Sequence, residues 1–133
     1  MQKHVVLKML IAEDEPELLR IYKIMFEHEG YHVVTTADGQ ECIDAFKVAL
    51  KQRIDNNPPF DLVLLDYRMP KKNGSEVANE ILTLCPTQKL MMVTAYSGLV
   101  GSDSETLKKI RIMPKPMDFE TLFATIATEL KNV

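Results

Sequence analysis

The chain has 133 residues, enough for one domain with a sizeable core and too few for two comfortable ones. Hydrophobic residues make up 46% and charged residues 26%, which excludes a disordered chain, and a net charge of -3 supplies no basic footprint for direct nucleic-acid binding. No apolar run nears the ~20 residues that cross a bilayer, and MQKHVVLKMLIAEDE meets acids too early for a signal peptide, so a cytoplasmic protein is expected.

Five short apolar runs alternate with longer segments of helical period, which predicts βα units around a parallel sheet. VVLKMLIA (5–12) is the first strand. PELLRIYKIMFEHEG follows as a helix, with Pro16 in its first turn, Leu18, Tyr22, Met25 and Phe26 on one stripe, and Gly30 at its stop. YHVVTT (31–36) is the second strand. Asp38-Gly39 opens the second helix, carrying Ile43, Phe46 and Leu50, with Glu41 at capping-box spacing from Asp38. Asn56, Asn57, Pro58 and Pro59 then enforce a loop.

DLVLLD (61–66) is a strand apolar enough to be buried on both faces, and it stops at a carboxylate. Asn73-Gly74 gives a turn before the helix SEVANEILTLC, which Pro86 ends. KLMMVTA (89–95) is the fourth strand, a helix is expected within GSDSETLKKI, and IRIMPK (110–115) is the fifth strand. The last helix, DFETLFATIATELK, takes Asp118 as its cap. Cys42 and Cys85 lack the spacing of a zinc site and read as reduced core thiols.

In an open parallel sheet, ligands bind beyond the carboxyl ends of the strands. There this chain places Glu13-Asp14-Glu15, Asp66, Thr94 and Lys115. Clustered carboxylates repel one another unless a cation joins them, and oxygen-only ligands suit a hard ion such as Mg²⁺. Asp66 becomes a candidate nucleophile toward a phosphoryl group, with Lys115 supplying positive charge and Thr94 a hydroxyl. Taken singly, each residue reads as a helix cap, a strand end or a solvated lysine; their company decides the reading.

The motifs IAEDEP, LVLLDYRMPKKNG, MMVTAYS and MPKP, in this order, resemble the receiver domain of two-component response regulators. The resemblance implies a flavodoxin-like (βα)5 three-layer sandwich, with a five-stranded parallel sheet in the order 2-1-3-4-5. It implies one receiver domain over residues 1–133, with no output domain visible.

By the same resemblance, Asp66 is the phospho-acceptor, charged by a sensor histidine kinase or a histidine phosphotransfer protein. Asp14 is a direct Mg²⁺ ligand, Glu13 acts through water, and the backbone carbonyl of Arg68 completes the protein ligands. Thr94 is the switch hydroxyl, Lys115 pairs with the phosphoryl group, and Pro116 is the candidate cis peptide. Arg68 and Tyr96 are expected to overhang the phosphoryl group and tune its lifetime. Phosphorylation would alter a surface for an unknown downstream protein, in a monomer or a phosphorylation-linked dimer, without nucleic-acid or membrane contact by this segment.

Three features depart from the family pattern. The fifth strand lacks the family's usual aromatic, with Met113 read as standing in its place; the usual Gly-Ala before that strand is missing from LKKIRIMPKP; and the loop KQRIDNNPPF is a few residues longer than usual. Haloacid-dehalogenase-like phosphotransferases want a second Asp two positions after the nucleophile, where this chain has Arg68. A degenerate receiver would have lost Asp66, an acid of the pair or Lys115, and none is lost.

Overall fold

The computed structural model describes residues 6–95, 110–115 and 118–131. In chain order these form β1 (Lys8–Ala12), α1 (Pro16–His28), β2 (His32–Thr36), α2 (Gly39–Gln52), β3 (Leu62–Leu65), α3 (Gly74–Leu84), β4 (Leu90–Thr94), β5 (Arg111–Pro114) and α4 (Phe119–Lys131). All strand pairs are parallel and the sheet order is β2-β1-β3-β4-β5. The helix expected within GSDSETLKKI lies outside the described residues, apart from its last residue Ile110.

Two apolar layers sandwich the sheet, and strand periodicity assigns each residue to one of them. Leu10, Ala12, Val63, Leu65 and Met92 face α2 and α3, where Phe46, Val77 and Ile81 complete the layer. Met9, Ile11, Leu62, Leu64 and Val93 face α1 and α4, with Tyr22, Phe26, Leu122 and Ile126. Phe26 and Phe46 are fully buried, each contributing about 2–3 kcal/mol of transfer free energy to its layer. The central strands β3 and β4 are buried throughout, as their unbroken apolar runs required.

The helix ends follow local chemistry. Pro16 opens α1, and the chain leaves it through Gly30 at φ +96°, in the left-handed region that favours glycine. Asp38 caps α2 by accepting from the Glu41 N–H at 2.8 Å, while the Glu41 carboxylate takes the Ala37 N–H rather than that of Asp38. The full capping box sits instead on α3. There Asn73 accepts from the Glu76 N–H, and Glu76 accepts from the Asn73 N–H. The sequence reading took Asn73-Gly74 only as a turn. Asp118 caps α4 through the Thr121 N–H at 2.7 Å, as expected.

Candidate functional site

Main-chain hydrogen bonds continue past the carboxyl ends of the strands and fix the residues that follow them. The Glu13 N–H donates to Thr36 O at 3.1 Å, the Asp66 N–H to Ala12 O at 3.0 Å, and the Lys115 N–H to Thr94 O at 2.9 Å. Alternation then aims the side chains. Glu13 continues the face of Met9 and Ile11, Asp66 that of Leu62 and Leu64, and Lys115 that of Met113, all on the side of α1 and α4. Lys115 starts on β5, two strand spacings or about 10 Å from β3, so a long flexible side chain is needed to bridge the end of β4.

The Lys115 ammonium donates to Glu13 Oε1 at 2.7 Å and to Asp66 Oδ2 at 3.2 Å. Glu13 is 1% exposed and Asp66 8%. Glu13 Oε2 also accepts the Glu15 N–H at the start of α1. Burial pushes the Glu13 carboxyl up to about 7; the hydrogen bonds from Lys115 and the Glu15 N–H oppose the rise, and the charge of Asp66 adds to it. Burial alone would lower the Lys115 ammonium, but its hydrogen bond to Glu13 and the charges of Glu13 and Asp66 outweigh it and hold the pKa above the usual lysine range.

Glu13, Asp14 and Asp66 each offer a carboxylate oxygen, all within 4.8 Å of one another. Three carboxylates against one ammonium leave an uncompensated formal charge of -2 when all are ionised, two of the acids being buried. Such a group fits a hard divalent cation bound through oxygen, and the exposed Asp14 stands on the solvent side to receive it.

The segment following Asp66 is braced from several sides. The Gly74 N–H donates to Tyr67 O at 2.6 Å, the Lys72 N–H donates to Pro70 O at 2.8 Å, and Lys71, at φ +71°, pairs with Asp38 at 3.4 Å. Lys72 also pairs with Glu80 on α3. A Cβ on Gly74 would stand 2.6 Å from Asp66 O and 2.9 Å from the Tyr67 Cα, so glycine is what lets α3 begin against the backbone of Asp66 itself. Gly39 holds the equivalent place under the backbone of Lys72. Both roles are close approaches made in three dimensions, and the sequence showed each glycine only as a turn or helix start.

Glu13, Asp14, Asp66 and Lys115 thus meet. Thr94 is fully buried at the same sheet edge and accepts the Lys115 N–H through its carbonyl. Arg68 is exposed, two residues past Asp66. Tyr96 and Pro116 lie outside the described residues. Met113 corrects an expectation: it packs toward α1 and α4, whereas Ile112, paired with Met92, faces the layer of α2 and α3 and so shares the strand phase of Thr94. By alternation, the β5 position that can couple to Thr94 is Ile112. Tyr22, read from sequence as core, lies close enough to the charges of Lys115, Glu13 and Asp66 to feel them. Burial, the largest cause, pushes its phenol up to about 12.

The profile of the response regulator receiver domain matches residues 9–127. The chain belongs to the response regulator receiver family. It is 34% identical over 129 residues to the response regulator ArlR of Staphylococcus saprophyticus, covering 94% of this chain and 53% of that protein. With the receiver protein CpdR of Brucella abortus the identity is 26% over 116 residues, covering 86% and 89%. The transcriptional regulatory protein GlrR of Escherichia coli is 27% identical over 125 residues, 93% of this chain and only 26% of that protein, so the chain spans about a quarter of it.

Among solved structures, a CheY-like receiver domain protein from Methanospirillum hungatei superposes with a TM-score of 0.81 at 26% identity, covering 96% and 95% of the two chains. The response regulator TrrA of Thermotoga maritima, solved in complex with Mg²⁺ and BeF, gives 0.74 at 28% identity, covering 94% and 99%.

Proposed function

We propose that Asp66 accepts a phosphoryl group from the phosphohistidine of a sensor histidine kinase or histidine phosphotransfer protein, and that the chain is a magnesium-dependent switch in the cytoplasm. The observation that carries this reading is the Asp66 carboxylate, almost buried, 3.2 Å from the Lys115 ammonium and grouped with Glu13 and Asp14. An Asp66 oxygen bonds to phosphorus as the donor's P–N bond breaks and its imidazole departs. Lys115, already on Oδ2, meets the negative charge on the incoming phosphoryl oxygens.

Asp14 and Asp66, with the Arg68 carbonyl and a water held by Glu13, would hold Mg²⁺, which when bound neutralises phosphoryl oxygens. Buried Glu13 keeps Lys115 aimed, and the main-chain bonds to Ala12 and Thr94 keep Asp66 and Lys115 from drifting apart. Thr94 responds to the new group as the switch hydroxyl, and Arg68 with Tyr96 slows hydrolysis, so Arg68→Ala should shorten the phosphorylated lifetime. Among the described residues no helix is long and apolar enough to cross a membrane.

The test is incubation with acetyl phosphate and Mg²⁺, followed by intact-mass measurement. One added phosphoryl group is expected in the wild type and none in Asp66→Asn. Equal labelling of the two proteins would remove Asp66 from the role.

A further inference from the structure

The two edges of the sheet are finished differently. β5 carries Arg111, ion-paired with Glu129 of α4 at 2.6 Å, and ends in Pro114, which has no N–H to offer. β2, with sequence HVVTT, contains no Lys, Arg, Asp, Glu, Pro or Gly, so the strand itself carries none of the charged or backbone-breaking residues that blunt an edge. Its hydrogen-bond phase is fixed at both ends: the His32 N–H donates to Leu7 O at 2.8 Å, and Thr36 O accepts from Glu13. Residues 32, 34 and 36 therefore turn their main-chain groups toward β1, and Val33 and Thr35 turn theirs outward. Beside this edge, α2 and β2 leave an open groove of about 350 Å³ lined by Val34, Ala45, Val48 and Ala49 among others, and Val48 is 55% exposed.

We propose that this edge joins two copies of the chain, with β2 pairing antiparallel to β2 about a two-fold axis at Val34. In that register Val33 faces Thr35 of the partner subunit, and Thr35 faces the partner's Val33. Each pair exchanges two main-chain hydrogen bonds, which satisfies every outward group of the strand. His32 falls opposite Thr36 of the partner subunit, so no like charges meet along the strands.

The axis also sets α2 antiparallel to its copy. Val48, which lines the groove with Val34, meets the partner's Val48. Asp44 lies four residues before it and the exposed Lys51 three after, so opposite charges face each other on both sides of the axis. The surface is thus self-complementary in hydrogen bonds, apolar contact and charge, as a two-fold interface demands. A strand pair alone falls short of the ~1,200 Å² that stable interfaces bury, so α2 has to contribute, and Val48 is the position to perturb.

Sedimentation velocity on the whole chain, from micromolar to millimolar concentration, should show a monomer–dimer equilibrium. Val48→Lys and Val48→Glu, each alone, place like charges on the axis and should weaken association about tenfold or more. Their equimolar mixture should recover it as a heterodimer. Thr35→Pro deletes an outward N–H without costing a bond to β1, and should weaken association while circular dichroism stays unchanged. A wild type that remains monomeric throughout, a dimer indifferent to the single charge variants, or a mixture no tighter than its components would overturn the proposal. All these variants should still take a phosphoryl group on Asp66, so this test and that of the phospho-acceptor fail independently.

Discussion

Replacing Gly74 by alanine should damage both stability and phosphoryl acceptance, because the added methyl group meets atoms that cannot yield. Its Cβ would lie 2.6 Å from Asp66 O, 2.9 Å from the Tyr67 Cα and 3.1 Å from the Met92 Cε. The methionine terminus can swing aside, but the two backbone atoms belong to the turn that carries Asp66. Reaching ordinary contact at 3.4 Å requires a shift of about 0.8 Å, the difference between 3.4 and 2.6, either of the first turn of α3 or of the Asp66-Tyr67 peptide.

Overpacking of this kind costs about 2 kcal/mol, and a displacement near 1 Å at a reacting group lowers rates by up to about a hundredfold. Urea unfolding and timed mass spectrometry with acetyl phosphate measure the two effects. Gly30→Ala is the control: nothing lies within 4 Å of its Cβ, yet φ is +96°, so it should lose about 1 kcal/mol from backbone strain and keep the wild-type phosphorylation rate. A Gly74→Ala protein with native stability and rate, or a Gly30→Ala protein equally slow, would refute the reasoning.

Lys115→Met leaves two buried carboxylates without their cation and should lower stability by about 2–3 kcal/mol in urea unfolding; adding Asp66→Asn should restore much of that loss by removing one of the repelling charges. Simple additivity of the two changes would show that Lys115 and Asp66 do not interact. Lys71→Gly should stabilise the fold by a few tenths of a kcal/mol, and so raise the midpoint of thermal unfolding slightly, because relief of the left-handed conformation exceeds the greater freedom glycine gives the unfolded chain. A lowered midpoint would mean that the exposed ion pair with Asp38 outweighs the strain. Burial pushes the Cys42 thiol from 9.0 up to about 12, a roughly thousandfold loss of thiolate in mildly alkaline buffer. Iodoacetamide should therefore spare Cys42 until the protein unfolds, and because the folded pKa is the higher one, stability should fall as pH rises above 9.0. Alkylation of Cys42 in the native protein at the rate of a free thiol would contradict this.

Much of the fold was legible because each strand's phase is written in its residues. LVLL could only be buried on both faces, and acids and a lysine at the ends of separate strands pointed to one edge. What escaped the sequence was contact across distance. Gly74 and Gly39 read as turn formers, whereas their role is to admit another segment's backbone. Tyr22 sat on an apolar stripe with nothing local to show that its ring lies near Lys115 and packs edge-on against Phe119 of α4, 97 positions later. Met113 was matched to the family by its place along the chain, and only strand pairing showed that Ile112 carries the phase of Thr94. Counting along a chain locates a residue to within one position, and one position in a strand is the opposite face.

Asp66 and Lys115 are held in place by main-chain carbonyls and amides, which every residue type but proline possesses. Substitutions in the solvent-facing halves of the helices can accumulate without re-aiming them. A chain 26% identical to a receiver from Methanospirillum hungatei and yet tracing nearly the same path is what such independence permits. An engineer wishing to give this domain a new partner could rewrite those outer surfaces wholesale, provided the three amides beyond the strand ends kept their acceptors.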